Sequence, residues 1–218
     1  MPSRLSGSSK EISGPISSPI SKKLRVLGVD PSVAGATGYG IIELDGAHAS
    51  LLRFGAFKLP ARATFASRLR EIHESITRLV EEFAPDAVAV ESVFAALNMR
   101  TALMLAEMRG VVLLAAAQAQ IPAHSYSPRE VKASVAGFGG ASKQQIQRMV
   151  SSALRLSVDP EPLDASDALA VALCHAHVSA ARVRMASSIG ARKMALPATS
   201  STARRVGKTI AVARVVSS

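Results

Sequence analysis

The chain has 218 residues, 48% of them hydrophobic, one cysteine and a formal net charge of +10. That length suits one domain with appendages and can bury a sizeable core, and a mean hydropathy of +0.24 excludes a chain disordered throughout. One cysteine excludes a disulfide framework and fits a reduced, cytoplasmic setting, 4% aromatics without Trp exclude a surface that works mainly by stacking, and the longest strongly apolar run, residues 110–117, is too short to cross a bilayer.

The positive charge sits at the ends. Residues 1–23 hold Arg4, Lys10, Lys22 and Lys23 against Glu11, and residues 181–218 hold eight basic residues and no acid, which leaves residues 24–180 at a net −1. Residues 1–23 also contain eight serines with Pro15 and Pro19 and no apolar run, so they read as a disordered basic leader rather than a secretory signal. Residues 181–218, mostly Ala, Ser, Arg and Lys without sustained periodicity, read as a basic, disordered tail suited to a polyanion. Residues 24–180 are then the folded domain, whose nucleic-acid contacts must come from local arrangement rather than bulk charge.

Within that domain, residues 24–30 (LRVLGVD) form an apolar run that ends in an acid, as in a buried central strand. Residues 37–44 follow after a glycine-bearing turn and predict a hairpin partner, with residues 50–59 as a third strand. Phe65, Leu69, Ile72, Ile76, Leu79, Val80 and Phe83 recur at helical spacing. Residues 87–90, ending at Glu91, predict a fourth buried strand, residues 98–118 a long helix, and residues 123–126 a fifth strand. Ser127-Pro128-Arg129-Glu130 and Ser142-Lys143-Gln144-Gln145 both read as capping boxes, and an Ala/Leu-rich helix runs from Leu163 to about His177. Hairpins first and βα units afterwards imply an α/β fold: a five-stranded mixed sheet with helices packed against it.

The acids carry the chemistry. Asp30 and Glu91 each end an apolar strand, and parallel neighbours would bring both to one sheet edge. Asp164 and Asp167, three apart, share one face of a helical first turn. Singly, each has a structural alternative: Asp30 capping the Asp-Pro turn, Asp164 as an N-cap, Asp167 favoured by the helix dipole. Together they would repel unless cations held them, and hard oxygen ligands without a Cys/His cluster select Mg²⁺ or Mn²⁺. Such ions suit in-line phosphoryl displacement.

Four segments in this order, GVDP…TGYGII, AVAVESVF, REVKASVAGFGGASKQQIQRMV and LDASDALAVALCHAH, resemble the RuvC-type Holliday-junction resolvases over residues 24–180. The resemblance implies a ribonuclease-H-like fold, a homodimer, and two Mg²⁺-dependent nicks placed symmetrically across a four-way DNA junction during recombination and repair. It implies junction-binding and branch-migration motor proteins as further partners. It places catalytic, metal-binding carboxylates at Asp30, Glu91, Asp164 and Asp167, catalytic and DNA-binding lysines at Lys132 and Lys143, and a DNA-contacting aromatic at Phe94. The loop after Asp30 departs from the family pattern: Ser32 stands where the family carries glycine, and the loop is about one residue longer.

In isolation the two lysines read as solvated surface, and Phe94 divides evenly between core and site. His175 and His177, two apart, diverge on a helix and read as surface polar residues. Met99, Met104 and Met108 read as packing in the core or a dimer seam. Two alternative functions are an actin-like phosphotransferase, for which the chain lacks a second Asp-Gly hairpin and an adenosine-binding lobe, and a junction-binding module without catalysis, against which the intact acids argue.

Overall fold

The computed structural model describes residues 23–33, 35–57, 63–92 and 98–194. Three antiparallel strands open it: β1 (Leu24–Asp30), β2 (Thr37–Asp45) and β3 (His48–Phe57). After α1 (Phe65–Phe83) comes β4 (Ala87–Glu91), parallel to β1, and after α2 (Met99–Gln118) comes β5 (Ala123–Tyr126), parallel to β4. Three helices follow: α3 (Pro128–Ala136), α4 (Lys143–Leu154) and α5 (Leu163–Met194). The strand order is β3-β2-β1-β4-β5, the expected five-stranded mixed sheet.

Successive strand residues face opposite sides, so the sheet has two cores. Leu27, Val29, Ile41, Val88 and Val90 meet Ile72 and Ile76 of α1 and Met108 and Val112 of α2. On the other side Val26, Ile42 and Ala89 meet Val131 of α3, Ile146 and Val150 of α4, and Leu169, Val171 and Leu173 of α5. Ile72 and Ile76 are fully buried, and truncating either to Ala costs about 2–5 kcal/mol in a core of this kind. The β2–β3 register slips between Ile41 and Ile42, an irregularity with no sign in the sequence.

Helix starts follow their side chains. Ser127 accepts from the Glu130 amide and Ser142 from the Gln145 amide, and each N3 side chain returns the bond, completing both capping boxes. Asn98 caps α2 by accepting from the Thr101 amide at 2.9 Å. The third strand starts at His48, two residues earlier than its sequence suggests, and residues 58–59 of the expected strand lie outside the described residues.

Two readings are corrected. The closing helix does not stop near His177 but runs to Met194, because Ala, Arg and Met sustain a helix even where no apolar stripe marks it. Compact units divide at Ala181, and in the second unit Val183 and Met185 of this helix are exposed. The run at residues 110–117 is also only part of a longer apolar helix: α2 is long and apolar enough to span a bilayer by length and composition. Yet Met108, Val112, Ala115 and Ala116 of α2 lie in the sheet core.

Candidate active site

Strand register brings the first two acids together. β1 and β4 run parallel with Val29 opposite Val90, so Asp30 and Glu91 leave neighbouring strands side by side at the carboxyl edge. The other two arrive on α5, and glycines set how close that helix comes. A Cβ on Gly28 would lie 2.2 Å from the Ala168 carbonyl oxygen, one on Gly38 1.9 Å from the Asp164 carbonyl oxygen, and one on Gly40 2.5 Å from Leu169 Cδ2. No larger residue fits there, and the helix lies directly on β1 and β2, which carries the face bearing Asp164 and Asp167 to the same edge.

The loop after Asp30 closes over Asp164. The Gly35 amide donates to Ser32 Oγ at 3.0 Å, and Arg68 donates to the Val33 carbonyl at 3.1 Å. A Cβ on Gly35 would stand 3.5 Å from Asp164 Oδ2. The serine that departs from the family pattern thus supplies the hydrogen bond that shapes its own turn.

The lysines come from α3 and α4, on the same side of the sheet as α5. α3 carries Lys132, and Lys143 is the first residue of α4 after the Ser142 cap. Lys143 Nζ lies 2.6 Å from Asp167 Oδ2. Glu91, Lys132, Lys143 and Asp167, with Pro128, Val131, Ile146 and Ala170, line a cleft of about 190 Å³.

Negative charge exceeds positive in this space. Burial pushes Asp30 up to about 8, helped by Glu91, Asp167 and Asp164, while Lys143 pulls the other way. Glu91 is pushed up to about 7 by burial and by Asp167, against Lys132 and Lys143. Lys143 is held above its ordinary value, chiefly by its hydrogen bond to Asp167 and further by Asp164 and Asp30. Among the described residues, no three His, Cys, Asp or Glu side chains close on one shared ion position. Asp30 lies within electrostatic reach of Glu91, Asp164 and Asp167, Glu91 also of Asp167, and Asp167 is held by Lys143. Two buried hydroxyls beside them, Thr37 Oγ1 and Ser166 Oγ, have no hydrogen-bond partner among the described residues. An undercompensated set of hard oxygen donors fits a divalent cation.

Residues 26–175 match the sequence model of the crossover junction endodeoxyribonuclease RuvC. The chain belongs to the RuvC family. It is 45% identical over 156 residues to the RuvC of Chloroflexus aurantiacus, covering 72% of this chain and 94% of that one. It is 46% identical over 159 residues to the RuvC of Thermotoga maritima, covering 73% and 94%. Among solved structures it is similar to Thermus thermophilus RuvC, with a TM-score of 0.66 at 33% identity over 72% of this chain and 95% of that chain. The same enzyme in complex with Holliday junction substrate gives 0.65 at 32% identity, over the same shares of the two chains. A yeast mitochondrial Holliday junction resolvase, 14% identical with a TM-score of 0.54, shares the fold. Membership in the RuvC family sets the phosphotransferase alternative aside.

Against the RuvC expectations, the structure gathers Asp30, Glu91, Asp164, Asp167, Lys132 and Lys143 around one edge of the sheet. Phe94 lies outside the described residues. His175 corrects the surface reading: it is 3% exposed, its Nδ1 is 2.8 Å from the Tyr126 hydroxyl, and its ring lies tilted by 33° against His124 at 4.4 Å between centroids. α5 turns that face onto β5, whereas His177 does stay exposed and meets Ser134. Of the methionines on α2, Met108 is buried and Met99 is 74% exposed. The sequence reading missed the glycines on β1 and β2. Their signal was there, since Gly38 and Gly40 are two apart on one strand and share a face.

Proposed function

We propose that this chain resolves four-way DNA junctions by paired, symmetric nicks, with Mg²⁺ held by Asp30, Glu91, Asp164 and Asp167 and with Mn²⁺ as a substitute. The observation that carries the reading is the meeting of two strand-ending acids with two helix-borne acids and a lysine at one sheet edge. Bound at these carboxylates, two divalent cations would stabilise charge on the scissile phosphate and make the attacking water more acidic. The protein's own groups do the rest. Glu91, which lies within electrostatic reach of Asp30 and Asp167, would hold cations together with both. Lys143, drawn towards the acids by Asp167, supplies a cation at the N-terminus of α4, where free backbone N–H groups also favour a phosphate. Lys132 offsets the charge on Glu91 and offers a second phosphate contact. Phe94 is assigned the junction-base contact by family likeness.

Symmetric nicks require two sites, and α2 supports a homodimer. Met99, Leu103, Ala106, Gly110, Leu114 and Ala117 follow a coiled-coil-like spacing and are all exposed, with Leu103 at 56% and Leu114 at 52%. Nothing lies within 4 Å of a Cβ built on Gly110, so a second copy can approach closely there. The setting proposed is the cytoplasm, in homologous recombination and repair, beside junction-binding and branch-migration motors.

The test is cleavage of a labelled four-way junction in Mg²⁺ by the wild type and by Glu91→Gln. The substitution keeps shape but removes the charge, so nicking is expected to fall by orders of magnitude while junction binding persists. Near-normal nicking by Glu91→Gln would overturn the metal assignment.

A further inference from the structure

Between the two lysine-bearing helices stands an aromatic side chain that the fold leaves in water. Phe138 is 51% exposed, while the ends of its loop are fixed. Gly137 closes α3 at φ 84°, its amide donating to the Ala133 carbonyl at 3.0 Å. Ala141, 1% exposed, is part of the core, and Ser142 caps α4 next to it. Gly139 lies on an arginine: a Cβ there would stand 2.6 Å from Arg129 Cγ. The loop therefore holds a single large apolar group outward. Lys132 and Lys143 reach the cleft from the helices on either side of it, and Arg129 lies beneath.

An exposed ring on the loop that joins two lysine-bearing helices matches the chemistry of single-stranded or unstacked nucleic acid, where amines take phosphates and an aromatic face takes a base. We infer that Phe138 stacks on a nucleobase of the strand held by Lys132 and Lys143 and so sets which phosphate reaches the acids. The inference rests on the junction-cleaving reading above. Glycines at 137, 139 and 140 leave room beside the ring for a base and add no competing side chain.

The experiment places 2-aminopurine at successive positions beside the scissile phosphate of a four-way junction and titrates full-length protein in EDTA. Wild type is expected to change the fluorescence strongly at one position. Phe138→Leu, apolar but without a π face, is expected to abolish that change and weaken junction binding roughly tenfold, while Phe138→Tyr retains both. With the ring half exposed, all three proteins are expected to melt together. The same change and affinity in Phe138→Leu would overturn the stacking, including the case in which Phe138 serves another protein instead of DNA. A wild type that fails to cut the junction in Mg²⁺ would overturn the underlying reading, whereas a cutting wild type with an indifferent Phe138→Leu removes the stacking alone.

Discussion

Lys143 Nζ and Asp167 Oδ2 are 2.6 Å apart, an ion pair linking the first turn of α4 to the second turn of α5. It joins a cation that suits phosphate to a carboxylate that suits a metal.

Removing that cation separates two roles. In Lys143→Ala, single-turnover cleavage is expected to fall by two orders of magnitude or so, with junction affinity changed only a few-fold, because a charge on the transition-state phosphate counts more than one in the ground state. Single-turnover rates beside equilibrium binding measure both. A rise in dissociation constant at an unchanged rate would make Lys143 an ordinary phosphate contact.

The acids set a pH dependence whose sign is fixed. Asp30 at about 8 and Glu91 at about 7 lie above the values they take in the unfolded chain, so folding favours their protonated forms. The stability they contribute is full below the unfolded values, near pH ~4, and is lost as pH rises through about 7 to 8. In EDTA, the melting temperature is expected to fall between about pH 6 and about pH 8.5, and Asp30→Asn should flatten that fall. Mg²⁺ should raise it more at the higher pH. Parallel curves for wild type and Asp30→Asn in thermal melts would remove burial of Asp30 as the cause.

Gly38 tests how the helix is seated. A methyl group there would meet the Asp164 carbonyl at 1.9 Å, and both atoms belong to backbone. Gly38→Ala should cost about 1–3 kcal/mol or more as α5 is pushed from the sheet. Cleavage should be lost even at temperatures where the protein stays folded, because Asp164 moves with the helix. Full activity in the folded variant would mean that close seating does not position the acids.

The basic C-terminal segment has its own test. Truncation after Ala181, where the compact units divide, should keep the fold and the junction-cutting chemistry. With eight cations removed, non-specific duplex affinity should drop and the slope of log K against log salt should become shallower. Identical slopes for full-length and truncated protein in filter binding would mean that the segment does not touch DNA.

Much of this was readable from residues because burial and capping leave local marks. A strand buried on both faces is apolar along its length, so an acid at its end stands out, as Asp30 and Glu91 do. Ser127 and Ser142 announce their helices three residues ahead through Glu130 and Gln145. Other features depend on tertiary neighbours and leave no such mark. The burial of His175 follows from which face of α5 meets β5 and Tyr126, and a spacing of two from His177 carries no such information. α5 continues past His177 on propensity alone, and apolar periodicity reports burial rather than helicity. The Lys143–Asp167 pair needs two helices to meet, which their separate capping signals do not foretell.

The glycine seats on β1 and β2 also bear on when the enzyme becomes dangerous to DNA. Asp30 belongs to the first strand of the domain and Asp167 to its last helix, so the acids meet only after nearly the whole chain has been ordered. Such long-range pairing forms late in folding, and mutual repulsion among the carboxylates further disfavours early assembly. A nascent or partly opened chain lacks an assembled set of carboxylates. On the proposed assignment, cutting competence is tied to completion of the fold, and a molecule that loses the seating of α5 should be disarmed before it is unfolded.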